Sequence, residues 1–263
     1  MSQFKTIEVA DEKFKPDLLT FMTVKSKHLK GRGDIVFYIP ETDEENLPLV
    51  ILLHGVYGSS WSWAFSGGAH FVAEDLIQNH GMRPFIIAMP SDGLSGDGTA
   101  YLKHDSVDYE KWIIEDVPKA AGELTEKFSQ KSDFYLAGLS MGGFGTLRLG
   151  AKYPNLFKAL SSHSAPESLA SLQPFVEESF AKIVNLNDPQ YSPLYWLKKN
   201  KKLLPRLRID CGIDDELIED NRKLSSELLK DGIAHVYEEF PGGHSWEYWH
   251  EHIKDTFKFF FAT

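Results

Sequence analysis

The stretch that decides the fold reads Phe134-Tyr135-Leu136-Ala137-Gly138-Leu139-Ser140-Met141-Gly142-Gly143. Its first residues form an apolar run that predicts a buried strand, and a helical pattern follows its last glycines. A Gly-x-Ser-x-Gly pattern at a strand-to-helix junction is typical of a turn so tight that the residues beside the serine must be small. We therefore predict that Ser140 is presented at the end of a strand as a nucleophile. The alternative is an incidental glycine-rich turn.

Apolar runs elsewhere in the chain predict a parallel sheet covered on both faces. The strand candidates are residues 19–29, 35–39, 49–53, 85–89, 134–137, 159–160, 207–211 and 235–240. The first two suggest an antiparallel edge. Helical patterns at residues 69–78 and 109–128 lie between strands, and Pro118 is expected to kink or break the second. We predict one α/β domain over residues 1–263, with a mostly parallel central sheet of about eight strands and helices on both faces.

The segment of residues 164–205 is longer than a normal crossover between strands. It contains several aromatic residues and can form a small lid or helical insertion. The alternative is a set of helices packed on the sheet, with the aromatic side chains in the core.

Charge and composition limit the partners of this chain of 263 residues. Its net charge of -10 disfavours nucleic acid and anionic membrane surfaces, and no apolar run is long enough to insert into a membrane. The single cysteine, Cys211, allows no intrachain disulfide, and the first residues include no apolar leader segment. A cytoplasmic location is the expectation. A homo-oligomer is left open.

A serine hydroxyl needs a base at neutral pH, and ten histidines are candidates. On a turn of this type the chain order is serine, acid, histidine, with the histidine after the last strand. That order excludes the histidines before Ser140, and His163 follows too early. His244 lies in a glycine-containing loop directly behind the last predicted strand. We predict that His244 is the base, with a structural loop histidine as the alternative.

The acid that orients the base should follow the strand that ends near Cys211. Asp214 and Asp215 both lie in that loop, and their chemistry alone does not separate them. One would accept the proton of His244 Nδ1, and the other would cap the helix that follows. Cys211 itself is interpreted as a small buried residue.

Two backbone N–H groups are candidates for the oxyanion hole. One belongs to Met141, directly after the nucleophile, and the other should come from the loop after the first central strand. That loop reads His54-Gly55-Val56-Tyr57-Gly58. The glycine before Val56 keeps its N–H accessible, so Val56 is preferred and Tyr57 is the alternative. His54 is expected to support the loop by hydrogen bonding.

The motifs described so far resemble one known family. The residues that carry the resemblance are His54-Gly55, Gly138-Leu139-Ser140-Met141-Gly142-Gly143, Cys211-Gly212-Ile213-Asp214-Asp215 and Pro241-Gly242-Gly243-His244-Ser245-Trp246. Together they resemble the esterase D-like "putative esterase" family of α/β-hydrolases, from about residue 20 to the C-terminus. That family includes S-formylglutathione hydrolases, tributyrin esterases, feruloyl esterases and mycolyltransferases.

The resemblance implies an acid three positions after Gly212, which is Asp215. It also implies a serine carboxylesterase that hydrolyses short-chain or aromatic acyl esters through a Ser-His-Asp triad and an acyl-enzyme, with no cofactor and no metal. Tyr57, Trp61 and Trp246, with Trp63 and Trp249, are candidates for the substrate pocket, although such clusters are more often core packing. Alternatives are an acyltransferase or an S-formylglutathione hydrolase-like thioesterase at the same site, and a catalytically silent binding module.

Overall fold

The computed structural model describes residues 4–16, 18–186 and 188–262. Its strands are β1 Ile7–Val9, β2 Leu19–Ser26, β3 Gly31–Tyr38, β4 Leu49–Leu53, β5 Ile86–Pro90, β6 Lys103–His104, β7 Val107–Asp108, β8 Phe134–Leu139, β9 Ala159–His163, β10 Arg206–Gly212 and β11 Val236–Phe240. Its helices are α1 Ser62–Phe65, α2 Ala69–His80, α3 Tyr109–Lys111, α4 Val117–Leu124, α5 Met141–Lys152, α6 Leu169–Leu172, α7 Pro193–Lys199, α8 Ile218–Lys230 and α9 Trp246–Phe261.

Within the described residues, nine strands form the main sheet in the order β1-β2-β3-β5-β4-β8-β9-β10-β11. In this sheet, strands β1, β2 and β3 are antiparallel to their neighbours. The remaining pairings, along the order β5-β4-β8-β9-β10-β11, are parallel. The predicted α/β-hydrolase fold with an antiparallel edge is confirmed. In the main sheet the strand that the prediction lacks is β1, whose residues are half-buried or exposed and show no apolar run. Strands β6 and β7, which the prediction also lacks, pair with each other in a separate small sheet.

Helices and loops pack two apolar clusters against opposite faces of the sheet. Strand β4 divides between them, because Leu49, Ile51 and Leu53 belong to one cluster while Val50 and Leu52 belong to the other. Both faces of this central strand are thus covered, which explains why its sequence lacks alternation.

The chain around Pro118 departs from a regular α-helix. A π-helical turn, Trp112–Asp116, joins α3 to α4 directly before this proline. Pro118 has no N–H to donate back to the π-helical turn, which is consistent with the expected interruption of the helix.

Residues 164–205 combine packed and irregular structure between β9 and β10. Besides α6 and α7 they contain the 3₁₀ turns Gln173–Phe175, Phe180–Lys182 and Pro189–Tyr191. Phe180 and Leu197 are buried in the first apolar cluster, whereas Phe175 lines a cavity at the carboxyl end of the sheet. Parallel strands end there on either side of β4, the position where ligands bind in such sheets.

Candidate active site

Ser140 occupies a strained turn between β8 and α5. Its backbone has φ 51° and ψ -121°, a conformation that L-residues rarely adopt. A Cβ at Gly138 would lie 2.4 Å from the Gly142 carbonyl oxygen, and one at Gly142 would lie 2.3 Å from the Leu53 carbonyl oxygen. The turn is therefore as tight as the glycine pattern predicts. The Ser140 N–H donates to the His163 carbonyl of neighbouring β9 at 2.9 Å, which ties the turn to the sheet.

Three loops at the same end of the sheet bring Ser140, His244 and Asp215 together. His244 Nε2 lies 3.0 Å from Ser140 Oγ, and His244 Nδ1 lies 2.9 and 3.0 Å from the two Asp215 carboxylate oxygens. Because the carboxylate accepts from Nδ1, the proton sits there and Nε2 is free to accept from the serine hydroxyl. The arrangement is that of a serine activated by an oriented base.

Asp215 is buried and Asp214 is exposed. Burial acts to raise the pKa of the Asp215 carboxyl, but hydrogen bonds from His244, the Leu217 N–H and Ser164 outweigh it and hold that pKa below its usual value. The expected helix cap at Asp214 is wrong, because α8 begins only at Ile218 and the Leu217 N–H is taken by Asp215 Oδ1. The Asp214 N–H instead donates to the Gly242 carbonyl at 3.0 Å. This hydrogen bond joins the loop that carries Asp215 to the loop that carries His244.

The loop after β4 lies close to Ser140. A Cβ at Gly55 would lie 3.2 Å from Ser140 Cβ, so this glycine allows the close approach. The Tyr57 N–H donates to the Asp97 carbonyl at 2.9 Å and is occupied. Val56 lines the cavity, and Met141 opens α5, where first-turn N–H groups have no partner within the helix. Neither N–H has a hydrogen-bond acceptor in the part of the chain that the structure describes.

His54 supports this loop from below. The buried imidazole donates from Nδ1 to the Gly55 carbonyl at 2.7 Å and accepts the Asp92 N–H at Nε2, at 3.0 Å. The Tyr101 hydroxyl donates to the His54 carbonyl at 3.0 Å. Both ring nitrogens are therefore engaged by backbone, and His54 has no free position from which to act as a base.

The cavity over Ser140 has a volume of about 390 Å³, within the usual range for small-molecule sites. Tyr57, Trp61, Trp246 and Trp249 line it. Trp63 does not, because it is buried, donates to the Leu53 carbonyl and meets Trp246 edge-on. Four of the five aromatic residues proposed from the sequence thus line the cavity, and Trp63 belongs to the buried core.

Two features of the site were not among the predicted site residues. Phe175 also lines the cavity; sequence reasoning placed it in the possible lid of residues 164–205 but not in the pocket, because that segment is irregular and has no periodicity. The other is a fully buried pair behind the serine, in which His163 Nδ1 lies 2.8 Å from Asp210 Oδ2. Asp210 lies within a predicted apolar strand, and a carboxylate at such a position requires a partner. The position of Asp210 in the sequence could therefore have indicated a buried polar pair.

No group of three or more His, Cys, Asp or Glu side chains that could hold a metal ion occurs among residues 4–16, 18–186 and 188–262. Over the same described residues, no helix combines the length and apolar character needed to cross a membrane.

Known proteins share sequence and fold with this chain. A family model described as "Putative esterase" matches residues 26–260. An acetyl esterase from Caldicellulosiruptor saccharolyticus is 30% identical over 263 residues, covering 89% of this chain and 94% of the relative. A fluorophosphonate-binding serine hydrolase from Staphylococcus aureus superimposes with a TM-score of 0.82 at 21% identity, covering 95% of this chain and 100% of the other. An S-formylglutathione hydrolase from the same organism has a TM-score of 0.80 at 19% identity, covering 98% and 100%.

Proposed function

Because the chain belongs to the "Putative esterase" family and is a carboxylic ester hydrolase, we propose that it acts through Ser140, His244 and Asp215. The observation that carries this assignment is the unbroken hydrogen-bond chain from the Asp215 carboxylate through His244 to Ser140 Oγ. A silent binding module has no need to keep such a chain across three separate loops.

The geometry supports a two-step reaction. Ser140 Oγ attacks the ester carbonyl as His244 Nε2 takes its proton, and Asp215 stabilises the resulting imidazolium. The Val56 and Met141 N–H groups would hold the oxyanion, a contribution that typically amounts to about 10²–10³ in rate for one donor. His244 then returns the proton to the leaving alcohol, and a water activated by the same imidazole hydrolyses the acyl-enzyme.

The substrate of this reaction is proposed to be an ester with a short acyl group. The cavity of about 390 Å³ is at the small end of the usual range. The relative that is similar over most of the chain is named an acetyl esterase, and acetyl is a short acyl group. Aromatic acyl esters are the second group to test, because aromatic side chains form much of the wall. We also propose a single domain located in the cytoplasm, in keeping with one buried, unpaired cysteine, Cys211.

The experiment is intact-mass labelling with a fluorophosphonate, followed by peptide mapping and a panel of nitrophenyl esters. We expect one adduct on the peptide that contains Ser140, and neither adduct nor turnover in Ser140→Ala. No adduct on protein shown to be folded would contradict the proposal and favour the binding module. Faster turnover with added alcohols, together with new ester products, would favour acyl transfer.

A further inference from the structure

Phe175 is the one point at which the described part of residues 164–205 lines the cavity above Ser140. Its ring lies nearly parallel to the His244 imidazole, with an angle of 26° and 5.8 Å between ring centroids. Trp249 meets the same imidazole edge-on, at 4.9 Å and 87°. One face of the proposed base is therefore covered by a phenyl ring.

The backbone around Phe175 is held by a closed set of hydrogen bonds, which we call the clasp. The Tyr57 hydroxyl donates to the Phe175 carbonyl at 2.5 Å, and the Tyr57 N–H donates to the Asp97 carbonyl at 2.9 Å. The Asp97 carboxylate accepts the Glu177 N–H at 2.7 Å, and the Glu178 carboxylate accepts the Asp97 N–H at 3.0 Å. The backbone at Phe175 cannot move away from the cavity without breaking bonds in this set.

The clasp connects Phe175 to the loop that carries Val56, the proposed oxyanion donor. Tyr57 is in the left-handed region at φ 59°, where its N–H and its hydroxyl reach different partners on the same side of the cavity. The wall formed by Phe175 and the proposed oxyanion hole are thereby fixed relative to each other.

The chemistry indicates which part of the substrate meets this wall. His244 Nε2 must lie within hydrogen-bond distance of the leaving oxygen in order to protonate it, so the group attached to that oxygen lies beside the imidazole. The ring covering that imidazole is Phe175. Resting on the proposed esterase function, we propose that Phe175, held by the clasp, is a specificity-determining residue that limits the size of the leaving alcohol and not of the acyl group.

The test measures kcat/KM for two ester series with wild type, Phe175→Ala and Tyr57→Phe. One series keeps the acetyl group and enlarges the alcohol through methyl, phenyl and 2-naphthyl acetate. The other keeps p-nitrophenol and lengthens the acyl group from acetate to octanoate. Taking the ratio of variant to wild type for each ester cancels the intrinsic reactivity of the leaving group. Leu186→Ala and Tyr191→Phe, in the same segment but outside the cavity lining, are the matched controls.

We expect Phe175→Ala to raise the variant-to-wild-type ratio of kcat/KM about tenfold more for 2-naphthyl acetate than for methyl acetate. An effect of this size is typical when a pocket wall that limits a bulky group is removed. Tyr57→Phe, which removes a single oxygen atom, should act in the same direction but more weakly. Neither variant should show such a trend in the acyl series, and neither control should show it in either series. Thermal unfolding will confirm that all variants are folded.

Two results would overturn the inference. One is an equal ratio for all acetates, and the other is a size trend confined to the acyl series. If the wild type hydrolyses no ester although Ser140 reacts with phosphonates, only the proposed function fails. In that case the rates at which phosphonates with small and large leaving groups label Ser140 replace kcat/KM, and the ratio of variant to wild type tests the same dependence on the size of the leaving group.

Discussion

Asp214 and Asp215 are adjacent carboxylates whose surroundings differ at the scale of a single residue. Asp215 is 2% exposed and accepts from His244, whereas Asp214 faces solvent. Hydrogen bonds to the ionised form keep the pKa of Asp215 below its ordinary value despite burial. It thus stays charged throughout the range in which His244 needs an acceptor, and this charge is lost only as the pH falls through the lowered pKa.

Substitution of these two residues should have unequal effects on catalysis. Asp215→Asn places an amide against His244 Nδ1 and favours the wrong tautomer, so we expect kcat to fall by about 10⁴. Asp214→Asn, the matched control, should change kcat by less than about threefold, since its side chain lies in solvent. Steady-state kinetics with p-nitrophenyl acetate measure both. Similar losses in the two variants would contradict the assignment of the acid.

At the scale of elements, strand predictions succeeded where the burial pattern was simple. Strand β4 matches residues 49–53 because all five residues are buried. Strand β9 runs beyond the predicted 159–160 to His163, because Ser161, Ser162 and His163 are polar yet fully buried. Hydrogen bonds to Thr256 and Asp210 compensate two of these side chains, and those partners come from distant parts of the chain.

The site was predictable to the extent that it depends on local turns. Ser140 and His244 follow from chain order and glycine content, and the choice of Asp215 over Asp214 came only from the family resemblance. The position of Phe175 in the cavity wall could not be predicted, because it depends on a hydrogen bond donated by Tyr57 and on the Asp97 carboxylate that accepts the Glu177 N–H, and both residues are far away in sequence. Only the folded chain brings these groups together.

The contact between the serine turn and β4 predicts a sharp difference between two glycines. Gly142→Ala would place a methyl group 2.3 Å from the Leu53 carbonyl oxygen, so we expect the free energy of unfolding to fall by about 1–3 kcal/mol and activity to be lost. A Cβ at Gly122 in α4 would lie 3.8 Å from its nearest neighbour, a ring atom of Phe128. Gly122→Ala should therefore raise the free energy of unfolding by about 0.5–1 kcal/mol. Urea denaturation and ester turnover test both. A stable, active Gly142→Ala would show that the turn can relax.

At the scale of the whole molecule, a buried polar network joins β9, β10 and α9 behind the site. The Asp210 carboxylate accepts from His163, from Arg208 and from the Tyr248 hydroxyl. Burial acts to raise the pKa of Asp210, but the charges of His163 and Arg208 lower it to about 2. Because this folded-state pKa is depressed, the stabilisation is complete above the unfolded value near 4 and is lost as the pH falls toward 2.

The network predicts a pH-dependent stability difference. Asp210→Asn should lower the free energy of unfolding by about 3–5 kcal/mol near neutral pH, since the buried Arg208 then keeps only the half-exposed Glu238 as a carboxylate partner. About 2 kcal/mol of this loss should disappear between about pH 4 and pH 2. Denaturation across that range measures the difference. Asp133→Asn, which removes an exposed ion pair with Lys158, should cost less than about 1 kcal/mol at every pH. A loss in Asp210→Asn that stays constant with pH would contradict the lowered pKa.

Strand β11, which leads into His244, lies at the edge of the sheet and, in the part of the chain that the structure describes, pairs only with β10. Its residues are half-buried or exposed, in contrast to the buried residues of β8. Edge strands open more readily than central ones, so we expect His244, the proposed base, to separate from Ser140 while the rest of the sheet stays intact. Heat should therefore inactivate the enzyme reversibly, at temperatures below its cooperative melting. In hydrogen exchange the amides of Val236–Phe240 should lose protection earlier than those of Phe134–Leu139.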